Sequence, residues 1–198
     1  MKNIFFALSF IAFALTANSQ ENKPEILKGP ANWEFERFSL PPSFAPQITY
    51  KGFEELRFAP GMFNKDTSTY FTYAFVAQLD TLVNIREKEI RNYLEYYFKG
   101  LCGSTVRERK LTIDSTKISA RVTKTRERVP GMYNATVNVF GVFADGAPVT
   151  LNMAIHVANY PIDKKTRIIF LASPQGYNEP IWKDLYDIRR NVVQGLYK

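Results

Sequence analysis

Between Trp33 and Leu79 apolar and polar residues alternate at a period of two in three runs, each closed by proline, glycine or a polar turn. Successive side chains of a strand point to opposite faces, so this pattern predicts strands. The first is WEFERFSL, Trp33 to Leu40, which stops at Pro41-Pro42 and is expected at a sheet edge. The second is ITYKGFEELRF, Ile48 to Phe58, bounded by Pro46 and Pro60-Gly61. The third is TYFTYAFVAQL, Thr69 to Leu79, with Phe71, Tyr73, Phe75, Ala77 and Leu79 on one face.

From Val83 the period changes to that of a helix. Val83, Ile90, Tyr93, Leu94, Tyr97, Phe98 and Leu101 recur at spacings of three, four and seven, while Glu87, Arg91 and Glu95 follow the opposite, wet side. The pattern predicts a helix from Val83 to Lys99, ended by Gly100 or Gly103 in a left-handed cap. Alternation then resumes in four runs: Ile118 to Thr123, Tyr133 to Phe143, Val149 to Asn159 and Arg167 to Ala172. Pro130-Gly131 and Asp145-Gly146 supply turns between them. The unbroken IIFLA of the last run predicts a strand covered on both faces. A closing helix is expected from Pro180 to Tyr197, with Ile181, Leu185, Ile188, Val192 and Leu196 buried and Asn178 available as its cap.

This order predicts a single α+β domain over residues 33–198. A curved, mainly antiparallel sheet ends in a four-strand meander, and two amphipathic helices pack on one face. A helix-grip arrangement, with the sheet wrapped around the C-terminal helix and a cavity, is the alternative. The polar stretch 20–32, with Pro24, Gly29 and Pro30, is expected to be a linker.

The first 19 residues carry an address. Lys2, the apolar run Ile4 to Leu15, and then Ala17 and Ser19 form the pattern of a secretory signal peptide cleaved before Gln20. The run is shorter than the ~20 residues of a membrane span, so no transmembrane segment is expected in the mature chain. The signal resembles those of Gram-negative bacteria of the Bacteroidetes group, which implies the periplasm or the cell surface.

Composition narrows the chemistry. One His and one Cys leave no usual zinc set, no nucleophile elbow or phosphate-binding glycine loop occurs, and no cofactor is expected. Cys102 has no partner for a disulfide and lies at the end of an apolar helical stripe, so a buried, inert thiol is expected. Ser173, in LASPQG at a strand end, is read as terminating the strand. His156 shares a strand face with Asn152, Ala154 and Ala158, which places it either as a polar lining group or as a sheet histidine without a role.

The densest segment is Phe44 to Phe63. Glu55 and Arg57 point to one face of their strand and Glu54 to the other, so a structural ion pair, a charge-protected edge or a binding site are all open there. Phe44 to Pro46, Gly52 to Met62, and Tyr70, Tyr73 and Phe75 together resemble a family of uncharacterised secreted bacterial proteins. The resemblance implies export and carries no catalytic residue.

Charge points to a partner. The chain carries a net +7, and between Arg107 and Arg128 eight cations, Lys117 and Arg121 among them, face only Glu108, Asp114 and Glu127. In an exported protein such a surface is expected to meet an envelope protein or an anionic glycan or lipid, and not nucleic acid. The candidate binding residues are therefore Glu55, Arg57, Tyr70, His156, Lys117 and Arg121. The leading reading is a non-enzymatic ligand- or partner-binding module. The alternatives are a small-substrate hydrolase using His156 with a carboxylate such as Glu55, and a structural subunit of an envelope assembly.

Overall fold

A computed structural model of the chain describes residues 24–126 and 129–194. The expected signal peptide, Glu127 and Arg128 of the basic cluster, and the end of the closing helix lie outside the described residues. Seven strands form one antiparallel sheet: β1 (Glu34–Leu40), β2 (Gly52–Phe58), β3 (Tyr73–Leu79), β4 (Ser119–Lys124), β5 (Met132–Phe140), β6 (Pro148–Tyr160) and β7 (Lys165–Ser173). Their order across the sheet is β1-β2-β3-β7-β6-β5-β4, so β1 and β4 are the edges. Two helices complete the fold, α1 (Glu87–Arg109) and α2 (Ile181–Gln194). The α+β class, the antiparallel sheet and the four-strand meander β4 to β7 are as expected, and the sheet is open.

The helices do not share a face. Tyr73, Phe75, Ala77 and Leu79 of β3 pack with Ile90, Tyr93, Leu94, Tyr97 and Phe98 of α1. Ala74 and Val76, which point the other way, pack with Trp182, Leu185, Ile188 and Val192 of α2. β3 is thereby buried at every residue, and so are the last six residues of β7. The small side chains Ala74, Val76 and Ala154 let α2 sit close, and each large apolar side chain it buries contributes roughly 1.5–3 kcal/mol. The larger core lies under α1 and not under the C-terminal helix, which removes the helix-grip alternative.

α1 starts later and ends later than its pattern suggests. Val83 precedes it outside the helix, and the Glu89 carboxylate accepts the Arg86 N–H at 3.0 Å to close the first turn. Both candidate stop glycines lie inside the helix, which ends at Lys110 in the left-handed region (φ 55°). Gly100 is needed for contact and not for termination: a Cβ there would stand 2.1 Å from the Phe44 carbonyl oxygen. Gly131, by contrast, serves the turn expected of it, at φ 78°.

Residues 24–32 have no regular structure but belong to the domain. Leu27 is fully buried and Trp33 nearly so, both against the α2 side of the sheet. This strap covers β1 and β2 where α2 does not reach.

Candidate functional site

Glu55 and Arg57 hold the strap. Arg37 of β1 is the direct cross-strand neighbour of Glu55, and its guanidinium donates to Glu55 Oε1 through Nε at 3.1 Å and through Nη2. Glu55 Oε2 accepts the backbone N–H groups of Ile26 and Leu27 at 2.8 and 2.7 Å. Four donors on one fully buried carboxylate satisfy its acceptor sites. Arg57 completes the clamp: Nε donates to the Leu27 carbonyl at 2.9 Å, Nη2 pairs with Glu25, and the guanidinium lies 4.4 Å from the Phe35 ring centroid. Of the readings open for this segment, the structural ion pairs describe these two residues.

His156 lies on the same face and in the same row as Glu55. The register runs Glu55 to Val76 to Ile169 to His156, which puts three strand spacings, about 14 Å, between their backbones. Val76 and Ile169 fill the row beneath α2. Glu55 therefore cannot orient His156 or share its proton. Tyr70 is elsewhere again, in the chain before β3, where its hydroxyl stands 2.3 Å from the position a Cβ on Gly141 would take. Ser173 is buried and bonded to the Thr72 hydroxyl at 2.7 Å, closing the end of the strand as its sequence suggests.

The remaining candidates separate. Lys117 lies in the turn before β4 and makes an exposed ion pair with Asp114 at 3.8 Å. Arg121, in β4, lines an open cleft of about 410 Å3 between that edge strand and the start of α1. Its other walls are Ala120 and Val122 of β4 and Glu87, Lys88 and Arg91 of α1. Further along α1, Glu95 reaches over to accept the Ala120 N–H at 3.5 Å. Neither Lys88 nor Arg91 was among the candidate binding residues read from sequence. The row Glu87, Arg91, Glu95 was visible as a polar stripe, but only the docking of α1 beside β4 turns it into a wall.

The unforeseen feature is Glu54. It is fully buried on the α1 side of the sheet, where Oε1 accepts the Tyr93 hydroxyl and Oε2 has no partner among the described residues. Tyr93 stacks on Phe170 at 5.4 Å, Phe170 on Phe75 at 4.3 Å, and Phe75 on Tyr97 at 5.3 Å. In this aromatic surround burial pushes the Glu54 carboxyl up to about 8, against the Tyr93 hydrogen bond that lowers it and with Glu36 adding a smaller rise. The same burial raises the phenols of Tyr73, Tyr93 and Tyr97 well above their ordinary range. A strongly perturbed acid is a common mark of an active site, but that mark carries weight in a cleft. Glu54 is sealed beneath α1, so its carboxyl acts on stability and not on a ligand.

Cys102 is also enclosed, and burial pushes its thiol up to about 11. Native protein treated with a thiol reagent at neutral pH is expected to stay unlabelled while denatured protein reacts at once, since the thiolate is the nucleophile. Rapid native labelling, read by intact mass, would show an opening of α1 away from the sheet. Among the described residues no group of His, Cys, Asp and Glu is placed to hold a metal ion, and no helix is long and apolar enough to cross a membrane. No family model, curated protein or solved structure matches the chain.

Proposed function

We propose that this is a non-enzymatic binding module, exported to the periplasm or surface of a Gram-negative bacterium, that takes up an anionic partner in the cleft between α1 and β4. The observation that supports it is the cleft's wall, where Lys88 and Arg91 of α1 are joined by Arg121 on the edge strand, against Glu87 and, at the Ala120 end, Glu95, whose carboxylate is engaged by the Ala120 N–H. These three cations are exposed, and like charges gathered on a concave surface raise the local concentration of an opposite charge. The hydrolase reading lacks this kind of support, because its His156 and Glu55 are held apart by packed apolar side chains. The assembly-subunit reading would rest on exposed apolar area, and Phe35, Leu82, Tyr96 and Ile162 are exposed on separate elements.

The test is retention on a sulfated polysaccharide and on anionic vesicles. Binding is expected to weaken steeply between about 0.1 M and 1 M salt, as the Debye length falls from about 10 Å to about 3 Å. A Lys88→Gln, Arg91→Gln, Arg121→Gln variant is expected to lose about tenfold or more in affinity. Its stability should change by no more than about 0.5 kcal/mol per position. Lys117→Gln should bind like the wild type, because Lys117 is paired with Asp114 away from the cleft. Unchanged binding in the triple variant would overturn the reading.

A further inference from the structure

We propose that the free edge of β4 receives an extended acidic segment of a partner protein as an eighth strand of the sheet. This rests on the anionic-partner reading and adds what the partner is and how it is held. β4 pairs on one side with β5 and, among the described residues, has no strand on the other. In an antiparallel pair alternate residues direct both backbone groups at the neighbour, and those between direct them away. Two contacts fix which are which. The Ala120 N–H goes to the Glu95 side chain and so points away from β5, while the Thr125 N–H goes to the Met132 carbonyl and points toward it.

Ala120, Val122 and Lys124 therefore turn their backbone groups to the open edge. Glu95 covers the first, which leaves Val122 and Lys124 to pair with an added strand. Val122 is also a cleft residue, so the unpaired backbone and the cationic wall of α1 are parts of one surface. A strand laid along it would hydrogen-bond to Val122 with its backbone and reach Lys88 and Arg91 with its side chains. Main-chain bonds then give affinity and alternate side chains give specificity. The opposite edge contrasts in charge, because β1 exposes Glu34 and Glu36 and would repel the same segment.

The probe is a fluorescent peptide of about eight residues, a usual strand length, alternating glutamate and valine. It is compared with a copy N-methylated at alternate residues, which keeps every charge but cannot donate along one edge. The peptide is expected to bind wild type. Methylation along the pairing edge should weaken it about tenfold or more, and Lys88→Glu with Arg91→Glu should abolish binding. Val122→Pro, which deletes an outward N–H and leaves the bonds to β5, should lower affinity without lowering salt sensitivity. Equal binding of both peptides, still lost in the charge-reversed variant, would overturn strand addition and leave the anionic-partner reading standing. Binding of neither peptide, where polysaccharide is retained, would likewise overturn it. Concentration-dependent oligomers of the protein alone, abolished by the same charge reversal, would make a second copy the occupant and overturn the acidic partner.

Discussion

Replacing Glu54 by Gln is expected to open a gap between the stability curves of variant and wild type that widens as pH rises. The carboxyl is held up at about 8 in the folded protein, chiefly by burial, against an ordinary value of 4.5. Below pH 4.5 both folded and unfolded states carry the proton, and the group's contribution is complete. Above it the unfolded chain gives up the proton while the folded one keeps it, so stability drains away until the folded carboxyl also ionises near pH 8. At 1.36 kcal/mol per unit, the loss between pH 4.5 and 7 is on the order of 3 kcal/mol. The amide of Gln keeps an oxygen for the Tyr93 hydroxyl and does not titrate. Whatever constant cost its NH2 group brings, the difference between the two curves isolates the proton, because the other acids are common to both. Urea denaturation from pH 4 to 8 measures it. Parallel curves would mean that Glu54 is solvated and ionised in the folded state.

Removing the Glu55 carboxylate should cost more than any surface change. Glu55→Ala takes the buried carboxylate away from the Arg37 guanidinium and orphans the Ile26 and Leu27 amides. Breaking one side of a buried ion pair typically costs 3–5 kcal/mol. For a domain of this size that lowers Tm by roughly 10 °C. Protease susceptibility should rise at Pro24 to Trp33, because the strap loses its anchor. The double replacement of Glu55 and Arg37 by apolar residues should recover part of the loss, since a buried ion pair replaced whole by packed apolar side chains costs less than one broken on one side. A loss below about 1 kcal/mol in the single variant would show that Leu27 and Trp33 hold the strap by packing alone.

The strands and α2 were legible because each writes a simple period and is stopped by turn residues. The helix faces were not. β3 alternates large residues, Tyr73, Phe75 and Leu79, with the small ones Ala74 and Val76, and read alone the second set resembles a half-covered surface. It is in fact the seat of α2, and a helix can approach there because the side chains are short. The end of α1 was missed for a related reason. Gly100 is a poor helix former by itself, but the Phe44 carbonyl presses so close that no other residue fits. At the site, sequence spacing placed Glu55 and Arg57 on one face but could not name Arg37, Glu25 or the strap amides. Those partners come from strand register and from docking of a segment whose composition reads as a linker. The cleft needed both α1 and β4 in place, and its cations stand on two elements some thirty positions apart.

The strand order also has a consequence for how the chain finds its fold. Within the set β1 to β3, and within the set β4 to β7, every pairing is between sequence neighbours. Each set can zip by local hairpins, which close quickly. A single seam, β3 against β7, joins the two sets, and at its end Thr72 bonds to Ser173 across 101 positions. Closing that seam bears the main loop entropy of the topology. Such entropy grows slowly, by about 0.6 kcal/mol for each doubling of length. The segments on either side of α1 can therefore lengthen at little thermodynamic expense, whereas the seam itself, with Phe75 stacked on Phe170 under the helix, has no room for change.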